Sequence, residues 1–158
     1  MRWSIRDFTL PDAKAVAAWR YPPPYDVYDM PADPEDLESM SEPANWPDVW
    51  FAVDDLRTGG LVGFLELRAG AGEVELGLGL RPDLTGRGLG PGFVEATMEF
   101  ARERWHPSRF ALDVFPWNER AIRAYERAGF ARGDVYIRRF PGGGEREFLR
   151  MTRRAEPG

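Results

Sequence analysis

Apolar and polar positions change their period several times along the chain, and each change marks an element. Trp3-Ser4-Ile5-Arg6-Asp7-Phe8 alternates with the two-residue period of a strand that buries one face. Pro11 suits a first helical turn, and the alanine-rich run from Ala13 to Trp19 carries a helix on from it. Residues 49–53 form a continuous apolar strand, turned by residues 54–60. Residues 61–68 and 73–80 read as an antiparallel hairpin about Ala69-Gly70-Ala71-Gly72. In its second strand, Gly77 and Gly79 mark a bulge or a close approach of ligand. Phe93, Val94, Met98, Ala101 and Trp105 recur at helical spacing, so a helix runs from about residue 89 to 105. A short strand over residues 109–114 follows. Residues 118–128 form a helix stopped by Gly129, which tolerates the left-handed cap position. Residues 135–140 and 147–151 flank Pro141-Gly142-Gly143-Gly144 as a closing hairpin. The expectation is one α/β domain over residues 1–158 with a mixed, mostly antiparallel sheet.

Residues 21–48 break this rhythm. They hold seven of the 14 prolines and eight acidic residues, with no basic one. One short helix fits there, with Asp33 as N-cap, Pro34 at the first position and residues 35–40 behind it. Around this segment Trp19, Tyr21, Tyr25, Tyr28, Trp46 and Trp50 interleave with Asp26, Asp29, Asp33, Glu35 and Asp36. For any one of them, packing of the ring and hydration of the acid is explanation enough. Taken as a set, aromatic faces beside carboxylates suit an ammonium group. The expected ligand is a cationic amine: aminoglycoside-like, polyamine or peptide.

Charge divides along the chain. Residues 1–80 carry six basic and 15 acidic side chains, a net of −9, whereas residues 81–158 carry 15 and 11, a net of +4. Two ligands of opposite charge would produce this pattern, and so would scattered solvated faces. No basic run reaches five residues, which argues against nucleic acid. With no cysteine and one histidine, His106, the chain has no thiolate chemistry, no His-based triad and no multi-histidine metal site. His106 instead reads as a helix-end residue. No apolar stretch approaches the ~20 residues of a membrane span, and residues 1–6 lack the apolar core of a signal peptide. A cytoplasmic protein with no membrane partner is expected.

Two segments about 25 residues apart carry the candidate chemistry. In the first, the strand ending Leu78-Gly79-Leu80 runs through Arg81-Pro82-Asp83-Leu84 into Thr85-Gly86-Arg87-Gly88-Leu89-Gly90, which opens a helix. Such a turn aims backbone N–H groups and a helix dipole at phosphate, and its glycines let the anion come close. The P-loop pattern fails for want of a lysine. The dinucleotide fingerprint fails because its last glycine would fall on Pro91 or Phe93. In the second segment, Asn118 and Tyr125 are seven residues apart, nearly on one helical face with Ala121 and Ile122. A capping residue and a core tyrosine would satisfy that spacing too.

In this order and spacing the two segments resemble the acetyl-CoA motifs of the GNAT N-acetyltransferase superfamily. The first resembles its Arg/Gln-x-x-Gly-x-Gly/Ala loop, the second its Asn-x-x-Ala-x-x-x-Tyr-x-x-x-Gly-Phe helix. The closing Arg146-Glu147-Phe148-Leu149-Arg150-Met151 also fits, and residues 21–48 correspond to the variable acceptor region. Thr85 departs from the family's Arg or Gln, and Pro91 removes one N–H donor.

The resemblance implies a central sheet of about six or seven strands with about four helices. It implies transfer of acetyl from acetyl-CoA to a small-molecule or peptide amine, without a metal. The alternatives are acetylation of a protein or peptide, and a non-catalytic acyl-CoA-binding module. It assigns Gly86, Arg87, Gly88, Leu89 and Gly90 to the pyrophosphate, Leu78 and Leu80 to strand-like pairing with pantetheine, and Asn118 to the pantetheine arm. Tyr125 becomes the proton donor to the leaving thiolate. Glu73, Glu75 and Glu66 are the carboxylates available as a general base; Glu75, three residues before Leu78, is preferred, and solvated strand charge explains all three equally well. The closing hairpin's edges would support a homodimer.

Overall fold

The structure, a computed structural model, describes residues 1–140 and 143–156, so Pro141 and Gly142 of the expected final turn lie outside the described residues. Among the described residues seven strands and four α-helices follow one another as β1 (Trp3–Asp7), α1 (Leu10–Ala18), α2 (Pro34–Ser41), β2 (Trp50–Asp55), β3 (Gly60–Gly70), β4 (Glu73–Leu80), α3 (Gly90–Trp105), β5 (Arg109–Val114), α4 (Glu119–Arg127), β6 (Ala131–Arg139) and β7 (Glu145–Arg154). The sheet order is β1-β2-β3-β4-β5-β7-β6. β4 and β5 are parallel, paired at Glu73 with Arg109, Val74 with Phe110 and Glu75 with Ala111. The β1–β2, β2–β3, β5–β7 and β6–β7 pairs are antiparallel. The two residues joining β3 to β4 permit only an antiparallel hairpin. The mixed, mostly antiparallel sheet expected from the sequence is therefore present.

The chain divides into two compact units, residues 1–67 with 78–87, and residues 68–77 with 88–158. In the first unit, Phe8, Val16, Met30, Met40, Trp50 and Ala52 form a buried cluster. One ion-pair network ties β1 to α1 and β2. Arg6 donates to Asp54 at 2.6 Å and to Asp12 at 2.7 and 2.9 Å, while Asp12 accepts the Thr9 N–H at 2.9 Å and so caps α1. Burial opposes the charge of Asp12, and the bonds from Arg6 and Thr9 outweigh it, holding the carboxyl below its usual range. Residues 21–48 are less plain than the sequence promised. Besides α2, capped by Asp33 as expected, they wind through 3₁₀ turns at Tyr25–Tyr28, Met30–Ala32 and Pro43–Asn45.

In the second unit, α3 buries Phe93, Val94, Met98 and Ala101, the helical stripe read from the sequence, while Trp105 is only half-buried. Phe110, Leu112 and Met151 supply the buried face of β5 and β7. Arg102 of α3 lies 5.5 Å over the Phe110 ring and donates to the Ala155 carbonyl at 2.7 Å. His106 ends α3 in the left-handed conformation, its N–H on Arg102, as a helix-end residue should. β6 is the sheet's edge and is exposed throughout, with Val135 at 53% and Ile137 at 58%.

The β3–β4 turn is tighter than expected. Its two linking residues, Ala71 and Gly72, both take positive φ, +52° and +77°. That is the signature of a type I′ turn, which twists with its strands and favours Asn-Gly. Alanine in that conformation strains its Cβ by about 1–2 kcal/mol. Ala71→Asn should therefore raise the urea midpoint by about 0.5–1 kcal/mol of stability with an unchanged m-value.

Candidate active site

The residues expected to serve the site fall in both units. In the first, β4 ends in Leu78-Gly79-Leu80 beside β3, and several hydrogen bonds fix that end. The Arg81 N–H donates to the Val62 carbonyl at 2.8 Å, and the Arg81 guanidinium reaches the Leu61 carbonyl at 2.9 Å and Asp83 at 2.6 Å. Tyr21 donates its hydroxyl to the Leu80 carbonyl at 2.6 Å, while its own N–H is taken by the Asp29 carboxylate at 2.8 Å. Burial, then the Asp29 charge, pushes the Tyr21 phenol well above its ordinary range, so it remains a donor. A Cβ on Gly79 would lie 2.3 Å from the Phe64 ring. This glycine answers to a neighbour within the protein; a ligand is not needed to explain it.

In the glycine turn it is backbone conformation that calls for glycine. Gly86 and Gly88 take φ of +71° and +77°. Beside Gly88 a Cβ would meet nothing within 4 Å, so conformation alone demands glycine there. Leu89 follows in right-handed geometry and α3 begins at Gly90. A left-handed residue followed by a right-handed one points successive N–H groups into one concavity, which fits a phosphate oxygen. Thr85, at the off-pattern position, spends its hydroxyl on the Pro82 carbonyl at 2.8 Å.

In the second unit the helix of the second motif is held at both ends. Asn118, 5% exposed, caps α4 by accepting the Ala121 N–H at 3.2 Å. At the other end Gly129 sits at φ +93°. Its N–H bonds the Glu126 carbonyl at 3.0 Å, and the Phe130 N–H bonds the Tyr125 carbonyl at 3.0 Å. These are the two bonds of a Schellman closure, and the apolar contact that completes it is Phe130 against the Tyr125 ring, centroids 6.1 Å apart. Tyr125 is thus fixed through backbone and ring together. The start of α3 packs against the same helix, since a Cβ on Gly90 would stand 3.0 Å from that of Ala124. Gly88, Leu89, Gly90, Asn118 and Tyr125 therefore belong to one packed body.

Glu75 also lies in that unit, but in company. Arg150 of β7 donates to Glu75 at 3.3 Å, to Glu73 at 2.9 Å and to Asp113 at 3.4 Å. Glu73 additionally accepts from Arg109 at 2.6 Å. Partial burial works against the Arg150 charge, but Asp113 and Glu75 hold its pKa above the ordinary value. Tyr136 of β6 donates to the same Oδ2 of Asp113, whose Oδ1 is buried without a hydrogen-bond partner. Burial, followed by that bond, leaves the Tyr136 phenol pushed up to about 12. Sequence reasoning missed Arg150, Asp113 and Tyr136, and placed Tyr21 only among the aromatic residues around the acceptor segment, because their partners lie 23 to 77 residues away.

The expected aromatic set for an ammonium ligand splits. Trp50 is buried between Phe8 and Phe64, with ring centroids at 6.0 and 6.1 Å, and Trp46 meets Phe8 edge-on at 5.3 Å. Trp19 packs 6.3 Å from Phe64. These three are framework. Tyr25 and Tyr28 remain with the exposed Asp26 on one 3₁₀ turn.

Against known families, the acetyltransferase (GNAT) domain model matches residues 2–131. The chain belongs to the GNAT acetyltransferase family. This makes the protein an N-acetyltransferase, as the two motifs led one to expect. By sequence it matches no curated protein. Among solved structures, a GNAT-family acetyltransferase from Bacillus anthracis superposes with a TM-score of 0.78 at 22% identity, covering 99% of this chain and 97% of its own. The aminoglycoside acetyltransferase AAC(6′)-Ib, in complex with ribostamycin and coenzyme A, gives 0.74 at 19% identity, covering 98% and 94%. Spermidine N-acetyltransferase from Vibrio cholerae, in complex with CoA and spermine, gives 0.71 at 17%, covering 98% and 96%. At these identities the likeness is one of fold.

The raised pKa of Tyr136 predicts sensitivity to alkali. A tyrosine whose folded pKa is raised lends stability that is complete below its unfolded value of about 10 and is lost as pH climbs through the folded value. Denaturant midpoints should fall from about pH 10 to about 12, and Tyr136→Phe should flatten that fall. An unchanged slope in the variant would show the phenol contributes nothing there.

Proposed function

We propose that this acetyltransferase moves the acetyl group of acetyl-CoA onto the amine of a positively charged small molecule, by direct attack. The observation that carries the reading is the double closure of α4, which fixes Tyr125 between an asparagine cap and a Gly129-Phe130 stop. A phenol so held can place one proton repeatedly at one point.

In the proposed reaction the amine nitrogen bonds to the thioester carbonyl carbon and the carbon–sulfur bond breaks. Tyr125 gives its phenolic proton to the departing sulfur. Phenol at about 10 and thiol at about 8.5 are close enough for ready exchange. Backbone N–H groups at Leu78 and Leu80 pair with the pantetheine arm, and the one near Leu78 polarises the carbonyl. Gly86, Arg87, Gly88, Leu89 and Gly90 hold the pyrophosphate, and Asn118 the arm. The attacking amine loses its surplus proton through water to Glu75. Arg150 keeps that carboxylate in place but occupies only part of its lone-pair capacity.

Two considerations support the acceptor class. Residues 21–48 carry eight acids and no base, and Tyr25, Asp26 and Tyr28 share one turn, whereas Trp50 is buried and Trp19 and Trp46 pack against the core. Neighbours of the same fold are solved with spermine or ribostamycin, both polyamines in water.

Thiol release from acetyl-CoA, followed with spermidine, ribostamycin, a peptide amine and neutral analogues, tests this reading. Turnover should favour the polycations. Tyr125→Phe should lower kcat by about 100-fold or more, with KM for acetyl-CoA changed little. CoA binding without turnover on any amine would overturn the reading in favour of a non-catalytic module. Equal turnover of neutral analogues would remove the cationic acceptor alone.

A further inference from the structure

The β6–β7 hairpin carries a pair of arginines that the proposed reaction does not use. Arg138 and Arg146 stand directly opposite each other in the antiparallel register. Such partners have Cβ atoms about 5 Å apart, and like charges placed so are destabilising. Both guanidiniums lie over one ring, Phe140, at 5.7 and 5.4 Å from its centroid. Arg138 also lies 5.8 Å over Phe148, and Arg146 lies 6.0 Å over Phe115. Those two rings stack 5.0 Å apart, and Trp117, 46% exposed, extends the stack at 5.6 Å from Phe115.

Neither arginine makes an ion pair among the described residues. Their neighbours do: Arg139 pairs with Glu145, Arg132 with Glu126, and Arg153 with Glu95. Asp113 is engaged by Tyr136 and Arg150. Rings beneath the two guanidiniums attract them and keep water from that side, but cannot cancel their mutual repulsion. An anion between them would.

We propose that Arg138 and Arg146 form a binding site for an oxyanion, the phosphate or carboxylate of a small molecule, with the exposed Trp117, backed by the buried Phe115, offering an apolar surface to the rest of it. Two planar forks match two oxygens of such a group, and charge-assisted bonds of this kind are the strong ones. The site lies within the second unit and does not depend on the acetyl-transfer reading.

The test is calorimetric titration of inorganic phosphate and of benzoate, at constant ionic strength, into protein saturated with CoA so that the glycine turn is already filled. Saturable binding of at least one probe is expected, and the stronger of the two names the group. Arg138→Gln with Arg146→Gln should weaken it at least tenfold. Arg139→Gln removes the same charge from the same strand and should leave it unchanged. Arg146→Glu should abolish binding and raise the thermal midpoint, because the repelling pair becomes an attracting one. Binding that survives the double substitution, falls equally with Arg139→Gln, or is absent for both probes in wild type would overturn the site. Failure of CoA itself to bind would count against the acetyl-CoA reading instead, and the same titrations without CoA would still decide the arginine site.

Discussion

Much of the second unit hangs on one guanidinium. Arg150 stands on β7 but answers carboxylates on β4 and β5, binding Glu73, Glu75 and Asp113 together. Three carboxylates gathered on one sheet face would repel one another and shift the strands that carry them. Arg150 and, at the far side, Arg109 turn that repulsion into a clamp across β4, β5 and β7. The clamp is partly buried, so its worth lies less in net stability than in register. Removing one partner would leave charge behind in a poorly solvated place. The same clamp bears on chemistry, since the carboxylate preferred as base is held by it. A base must stay where it is needed, and a carboxylate on a strand stem of two methylenes stays only if something holds it.

Which parts of this were legible in the sequence follows from the range of each interaction. Asp33, Asn118 and Gly129 act on backbone groups within four residues, so their roles could be read from a short window. The succession of strands and helices along the chain followed from hydrophobic period, and the approximate counts from the resemblance of two motifs. Arg150 could not be read in this way. Its partners are 37 to 77 residues distant, and nothing in Arg146-Glu147-Phe148-Leu149-Arg150 distinguishes the second arginine from the first. Only pairing of β7 beside β5 sets them apart, one against carboxylates and the other over rings.

Composition misled most in residues 19–50. Six aromatic residues interleaved with acids resembled a single recognition surface, yet burial divides them. Trp46 and Trp50 donate their indole N–H groups to the Met40 carbonyl and the Ser39 hydroxyl, which anchors the segment onto the β2 strand. An aromatic residue has enough apolar area to be drawn inside whatever its neighbours are, whereas an acid on the same turn is left in water. Tyr21 shows a third outcome. Its ring is half-buried, and the hydroxyl ends on the Leu80 carbonyl and so fixes the strand end on which cofactor pairing is proposed. Asp29 and Asp33 likewise serve the backbone. The alternation of rings and acids is therefore mostly a device for packing a proline-rich segment.

Arginine placement in the closing hairpin obeys two different rules. Arg150 and Arg153 pair with acids, whereas Arg138 and Arg146 lie over aromatic rings and make no ion pair among the described residues. A chain selected only for stability would separate two such charges or set an acid between them, and Glu145 and Glu147 are both near enough in sequence to have served. Glu145 instead pairs with Arg139, and Glu147 stands opposite Ile137 on the alternate face. Strand alternation makes this a matter of a single register step: moving either acid by one position would neutralise the pair. That neither acid is so placed means the repulsion was compatible with the protein's use, which is what a surface that meets a negative group requires.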